Sequence, residues 1–262
     1  MNFKPGQELN NIISDNISGS GLLLEKLNNY LLNNFNEIDT EYLIPYLKKN
    51  LSEFSNIKNY LNDLENFLRN NPRRLEYFLK DVKNKSSNLA FKIYKNSFHE
   101  LNKYNKFITI SNSNTVIKFF EQFPMDKKNI SVAVCESRPI LEGRLAAIEL
   151  LNSGANVKII TEAMIAKEIN KIDAAVIGAD SILRNGNVVN KIGSRLIAVL
   201  CKYYNKPFYV LADKSKISNT NKFIPKKKPM QEIWDGKPGK IKIENYYFEV
   251  IEKELITNIF TD

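Results

Sequence analysis

The stretch GADSILRNGNVVNKIGS, residues 178–194, gathers an acid, an amide, a cation and glycines into one short run directly after the apolar segment IDAAVI. A carboxylate released at the end of a buried strand can meet a close-fitting ligand, and burial there tunes its proton affinity. Asp180, two residues after Gly178, is the first candidate for proton transfer. Asn185-Gly186 is a tight-turn signal, so the chain is expected to reverse and return Asn190 and Lys191 towards Asp180. Gly193 and Ser194 then open the helical pattern RLIAVLCKYY, whose first N–H groups add to the positive potential of Lys191. An acid for a hydroxyl, and a cation beside helix-start amides for an anion, together suit a polyhydroxy phosphate. A lone Asp in a loop is more often a cap, so the weight rests on the combination.

Two more strand ends carry polar residues. FITI is followed by Ser111, Asn112, Ser113, Asn114 and Thr115 and then by the apolar helix VIKFFEQF. Hydroxyls and helix-start amides make an anion site, although an ordinary N-cap accounts for this segment nearly as well. SVAV is followed by Cys135, Glu136, Ser137, Arg138 and Pro139, and Gly143-Arg144 opens the next helix. Pro139 favours an extended Arg138, whose planar fork would suit phosphate; a surface ion pair with Glu136 or Glu142 is the competing role. The single histidine, His99, falls in the helical half and reads as structural, which excludes a Ser-His-Asp or Cys-His arrangement in the other half. GxGxxG and GxxxxGK[ST] are both missing from the sequence, so dinucleotide and P-loop chemistry are unsupported. Proton transfer falls to Asp180, Glu136, a lysine or a thiol.

Up to about Tyr104 the segments that must position these residues repeat Leu, Phe and Tyr at helical intervals. Pro45 and Pro72 sit where helices are expected to begin, and Ser18-Gly19-Ser20 precedes LLLEKL as a cap. From Phe107 onward short runs such as FITI, SVAV, DAAVIG and PFYVLA alternate with amphipathic stretches, the texture of a parallel sheet covered on both faces. YYFEVI and KELITNIF read as a further strand and a closing helix. The expected fold is α/β: a helical bundle over 1–104, then a Rossmann-like, mainly parallel sheet domain over 105–262.

With 43% hydrophobic residues in 262, the chain can bury a real core. The net charge of +9 suits an anionic partner without choosing one, and KKK at Lys226 to Lys228, between Pro225 and Pro229, reads as a solvated loop. Cys135 and Cys201 are too few for a disulfide framework or a thiolate metal site and are expected as reduced thiols. Without an apolar run of roughly 18 residues or a leader-like N-terminus, a cytoplasmic protein with no membrane contact is expected.

The runs CESRPILEGRLAAIELLNSGANVKIITEAMI, IDAAVIGADSILRNGNVVNKIGSRLIAVL and PFYVLADKSKI resemble the family joining the alpha, beta and delta subunits of translation initiation factor two-B to methylthioribose-1-phosphate isomerase and ribose-1,5-bisphosphate isomerase. The likeness is close from about Phe107 to Lys216. In the isomerase members a cysteine and an aspartate convert a sugar phosphorylated at its anomeric carbon from aldose to ketose. The resemblance places Asp180 at that aspartate, Asn190 and Lys191 at the adjacent substrate-contacting pair, Arg138 and Gly143 in the ESRP loop, and Lys216 beyond the last core strand. The cysteine position falls at Ser111, and Ser18-Gly19-Ser20 stands where the isomerases carry an arginine-containing turn. Asn112, Ser113, Glu136, Arg144 and Gly193 complete the candidate substrate contacts.

A hydroxyl without a histidine is a poorer proton carrier than a thiol, which favours a regulatory member that binds a phosphosugar or nucleoside phosphate and acts through protein contacts. The alternative is an active aldose–ketose isomerase of a sugar 1-phosphate, favoured by the retained Asp, Asn and Lys. Nucleic-acid binding rests on charge alone and ranks last. The resemblance also implies a homodimer through the α/β half or a place in a larger complex. Neither a cofactor nor a metal is expected.

Overall fold

The computed structural model describes residues 5–262 apart from 52, 87 and 124–128; the first four residues of the segment read for a leader lie outside it. Helical periodicity in the first part of the chain produces α1 (Gln7–Ile13), α2 (Ser20–Asn33), α3 (Thr40–Asn50), α4 (Ser55–Asn70) and α5 (Leu75–Ser86). Their apolar stripes converge on one core that includes Leu23, Leu27, Leu47, Ile57, Leu61 and Leu79. Pro45 lies inside α3 and not at its start, which corrects the expectation. Asp39 caps that helix by accepting the Glu41 N–H at 3.0 Å, and burial of Leu43, Ile44 and Leu47 holds it together across the N–H that proline lacks.

The next helix, α6 (Leu89–Leu101), sends Ile93 and Leu101 into a different core, with Phe107, Phe119 and Tyr209. In packing, the two cores therefore divide between α5 and α6, inside the segment 1–104.

Sequence order then runs β1 (Lys106–Thr109), α7 (Asn114–Glu121), β2 (Ser131–Cys135), α8 (Gly143–Asn152), β3 (Asn156–Ile160), α9 (Ile165–Glu168) and β4 (Ala174–Ile177). It continues with β5 (Ser181–Ile182), β6 (Val188–Lys191), α10 (Ser194–Tyr203), β7 (Phe208–Leu211), β8 (Phe248–Ile251) and β9 (Asn258–Phe260). Six strands form one parallel sheet in the order β3-β2-β1-β4-β7-β9. The inner strands β2, β1, β4 and β7 are buried at successive residues because both faces are covered there. Phe107, Val132, Val134, Ala174, Val176 and Tyr209 meet α6, α7 and α8, while Ile108, Ala133, Ala175, Ile177, Phe208 and Val210 meet α9 and α10. The second sheet is small and antiparallel, in the order β5-β6-β8.

KELITNIF is not the expected closing helix. Lys253–Leu255 makes a single 3₁₀ turn, and Asn258–Phe260 is the parallel edge strand β9 beside β7. Ile256, Thr257 and Ile259 are β-branched, and the carbonyl of Phe208 accepts the Thr257 N–H at 2.8 Å while the carbonyl of Phe260 accepts the Ala212 N–H at 3.1 Å. Pairing with β7 thus satisfies backbone groups that a helix would leave open.

The chain builds outward from β1 to β3, then returns to lay β4 on the other side of β1. At such a reversal the loops leaving the two central strands diverge and open a crevice at their carboxyl ends. Ser111 and Asp180 follow these two strands. Gly143 packs α8 against the end of β2, where a Cβ would lie 1.9 Å from the Cys135 carbonyl oxygen. Gly143→Ala is therefore expected to destabilise the protein by about 1–3 kcal/mol or more, despite alanine's better helix propensity, as read by urea unfolding.

Candidate functional site

A cavity of about 90 Å³ occupies the crevice and is roofed by the helical half. Two close approaches bring the loops together: a Cβ on Gly19 would lie 2.8 Å from the Asn112 carbonyl oxygen, and one on Gly178 would lie 2.2 Å from the Ser113 hydroxyl. The helix start at Ser20 is thereby pressed against the loop after β1, and that loop against the one after β4. The starts of α2 and α7 both border the cavity. Gly19 and Ser113 occupy their N-cap positions without a side-chain cap bond, so both helices present first-turn amides there.

The turn at Asn185-Gly186, with Gly186 at φ 87°, folds β6 back onto β5, and the Asp180 N–H donates to the Val189 carbonyl at 2.9 Å. This reversal carries Asn190 and Lys191 into the wall that also holds Asp180. Asn190 donates to the Ser194 hydroxyl at 2.9 Å. Lys191, only 2% exposed, has its ammonium 2.9 Å from Glu142 Oε1 and 3.1 Å from Oε2. That ammonium also lies 4.8 Å from the ring centre of Tyr247, and the Lys228 ammonium lies 4.7 Å from the same ring. Glu142 accepts a second hydrogen bond from the Ser111 hydroxyl at 3.1 Å. Burial pushes the Glu142 carboxyl up, while Lys191 and Ser111 oppose the rise.

Asp180 is buried, and burial raises its carboxyl above the ordinary range; Lys216, Ser20 and Lys191 act in the opposite direction. The Lys216 ammonium donates to the Ala179 carbonyl, one residue away. Ser20 stands close enough to favour the Asp180 carboxylate, yet its buried hydroxyl makes no hydrogen bond of normal geometry. Its hydroxyl and backbone N–H both face the Asp180 carboxyl at the cavity wall.

Ser111 adopts φ 71°, Ser137 φ 67° and Leu141 φ 63°, left-handed conformations that cost non-glycine residues of order 1–3 kcal/mol each. The Ser137 hydroxyl accepts the Ser111 N–H at 2.8 Å and donates to the Cys135 carbonyl at 3.0 Å, which locks Ser111 in place. The loop from Ser137 to Leu141 turns so that Glu142 is buried and Arg138 is exposed.

Ser111, Asn112, Ser113, Asp180, Asn190, Lys191 and Lys216 all line the cavity. Glu136, Arg138 and Arg144 lie outside it: Arg144 pairs with Glu136 at 3.3 Å near the surface, and Arg138 donates to the Ile233 carbonyl at 3.4 Å. Gly143 and Gly193 stand behind the lining as packing residues; Gly193 has φ 100°, and a Cβ there would meet Ile110 at 2.8 Å. Cys135 is buried in the sheet core, where desolvation raises its thiol, and Cys201, also in that core, is pushed up to about 12 by burial. His99 is exposed on α6.

Glu142, Ser20, Tyr247 and Lys228 also line the cavity, although no motif in the sequence marks them as site residues. Lys228, the last residue of KKK, is not solvated as expected; it pairs with Glu53 at 3.0 Å and holds its loop over the site. Among the described residues, no group of three or more His, Cys, Asp or Glu could hold a metal ion, and no helix is long and apolar enough to cross a membrane.

The profile of the Initiation factor 2 subunit family matches residues 25–262. The chain belongs to this family. Among curated family relatives, a methylthioribose-1-phosphate isomerase from Thermosipho melanesiensis is 40% identical over 147 residues, covering 52% of this chain and 42% of that protein. A 5-deoxyribose 1-phosphate isomerase from Bacillus cereus is 40% identical over 139 residues, covering 48% of this chain and 40% of the relative. These matches span less than half the length of the curated relatives. In fold, the family resemblance extends further. The Pyrococcus horikoshii translation initiation factor eIF-2B superposes with a TM-score of 0.83 at 24% identity, over 98% of this chain and 96% of that one. The 5-methylthioribose 1-phosphate isomerase of the same organism gives 0.78 at 20%, over 96% of this chain and 81% of that one.

The segment before α2 has its own anchor. Burial alone would raise the Asp15 carboxyl, but the Lys26 ammonium at 2.7 Å and the N–H groups of Ser18 and Ile17 hold it down at about 2. A depressed carboxyl contributes stability above its unfolded value of 3.8, and this is lost as pH falls through the folded value of about 2. Asp15→Asn is expected to lower unfolding free energy by about 1 kcal/mol at neutral pH, a modest figure because the pair is partly solvated. The gap between variant and parent, measured by denaturant unfolding across pH, should close as pH falls from about 4 to about 2.

Proposed function

We propose that this chain is an aldose–ketose isomerase acting on a sugar phosphorylated at its anomeric carbon. The observation that carries this reading is the buried acid Asp180 sharing one small cavity with Lys191, Lys216 and two helix starts. The phosphate would sit against the first-turn amides of α2 and α7 at the cavity wall. Burial favours the protonated form of Asp180, which suits it to donate to the ring oxygen as the sugar opens. The names of the partial-length relatives support the same substrate class.

The reaction is redox-neutral within one molecule. The C1–ring oxygen bond breaks and that oxygen gains a proton; the hydrogen on C2 moves with its bonding pair to C1; the C2 hydroxyl loses its proton and becomes the ketone. One acid and one base suffice, and neither a metal nor a cofactor enters this scheme.

A second reading, a regulatory member that binds such a sugar or a nucleoside phosphate without turning it over, is favoured by the serine at position 111. Exposed Leu145, Ile148 and Leu151 on α8 and Leu196, Val199 and Tyr203 on α10 accord with assembly into a dimer or larger complex. One solved fold neighbour is a tetrameric eIF2B-beta2-delta2 complex from C. thermophilum, TM-score 0.80 at 13% identity over 99% of this chain and 92% of that one.

Incubation with methylthioribose 1-phosphate, 5-deoxyribose 1-phosphate and ribose 1,5-bisphosphate, followed by detection of ketose, separates the readings. Turnover of at least one is expected, with Asp180→Asn reducing kcat by about 10²–10⁴-fold. Saturable binding without turnover of any would establish the regulatory reading instead.

A further inference from the structure

The isomerase reading leaves one base unassigned, and serine alone cannot supply it. An aliphatic hydroxyl is not a base near neutral pH unless a neighbouring group accepts its proton, and the single histidine of the chain is exposed on α6, outside the cavity. Ser111 nevertheless has such a neighbour. Its hydroxyl donates to Glu142 Oε1 at 3.1 Å, inside the same cavity.

We propose, resting on that reading, that Ser111 and Glu142 act as one proton-accepting unit, the Ser111 oxygen taking the proton of the sugar's C2 hydroxyl while its own proton passes to Glu142. As the C1–ring oxygen bond breaks, its electron pair stays on the ring oxygen, which takes the proton of Asp180. The hydrogen on C2 crosses to C1 with its bonding electrons, C2=O forms, and the released hydroxyl proton ends on Glu142. Each turnover thus leaves Glu142 protonated and Asp180 ionised, and exchange with solvent at the cavity mouth resets both. No oxidant or reductant is required.

Three observations favour this role over that of a simple counterion for Lys191. A counterion needs no third partner, yet Glu142 holds Ser111 as well as Lys191. Ser111 is held in a left-handed conformation, a cost of order 1–3 kcal/mol, by its N–H bond to the Ser137 hydroxyl, and in that conformation its own hydroxyl meets Glu142. Burial strengthens Glu142 as a base, while the ammonium 2.9 Å away keeps a proton-accepting carboxylate populated. The charged and titratable groups around Glu142 are Lys191 from β6 and Tyr247 from the segment before β8, with Asp15, Glu53, Asp180, Lys216 and Lys228 elsewhere on the cavity lining and Glu232 at the Tyr247 hydroxyl.

The test is the pH profile of kcat/KM for the wild-type chain, Glu142→Gln, Ser111→Ala and Ser111→Cys/Glu142→Gln on a turned-over sugar 1-phosphate. Glu142→Gln keeps the size of the side chain but cannot take the proton. It is expected to lower kcat by about 10²–10⁴-fold with little change in KM, and to remove the acid limb of the profile. Ser111→Ala, which leaves the ion pair intact, should lose the same limb. A thiol at position 111 ionises without help, so the double variant should recover activity, with an acid limb moved towards the thiol range near 8.5. If Glu142→Gln retains kcat and the acid limb, or Ser111→Ala retains them, the relay is wrong while the isomerase reading stands. If Glu142→Gln does not fold, Ser111→Ala decides alone. Absence of turnover by the wild-type chain removes the isomerase reading and this inference with it.

Discussion

The contact on which the rest depends is the buried pair between Lys191 and Glu142. Taking two opposite charges out of water costs several kcal/mol per ion before their attraction is counted, and such a pair is weak as a source of stability. Here it joins the reversal after β4 to the loop after β2, two parts of the chain that the sheet order would otherwise leave as separate walls of one crevice. Tyr247, Ser111 and Asn190 line the same cavity, and the helical half closes over them. The arrangement reads as charge held ready for a ligand.

Both halves are needed for it. The α/β half supplies Ser111, Glu142, Asp180, Asn190, Lys191 and Lys216; the helical half supplies Ser20 and the start of α2. Direct bonds fix the halves together close to the cavity. The hydroxyls of Ser55 and Ser181 meet at 2.7 Å, and Asn59 donates to the carbonyls of Ser215 at 2.7 Å and Ile217 at 2.9 Å. The residues beside Asp180 and Lys216 are thus the ones clamped to α4, which sets the acid against the roof of the site.

The fold was legible because its signals are local. Buried strands such as AAVI and FYVL, alternating with amphipathic stretches, read as a covered parallel sheet, and Asn185-Gly186 announced the reversal that returns Lys191 to the site. The last segment misled because eight residues of KELITNIF carry an apolar spacing compatible with helix, while the need to pair the edge of β7 is a tertiary fact. In the site, residues at strand ends were legible and residues placed by loops were not. Arg138 looked better placed than Glu142 in the sequence. The left-handed turns at Ser137 and Leu141, which nothing in the residue types announces, exchange their positions. Lys228 was hidden for a similar reason: a lysine between prolines looks solvated until Glu53 and Tyr247 are seen beneath it.

The central claim is that the Lys191–Glu142 charges are kept for a phosphorylated ligand and not for the stability of the fold. It is tested most directly by urea unfolding of the double variant Glu142→Met/Lys191→Met, with and without methylthioribose 1-phosphate. The account predicts a double variant within about 1–2 kcal/mol of the parent without ligand, or more stable. It also predicts loss of the ligand-induced gain, which for the parent is about 2.7 kcal/mol at a hundredfold excess over Kd. A double variant that loses several kcal/mol yet is still stabilised by the ligand as the parent is would contradict it.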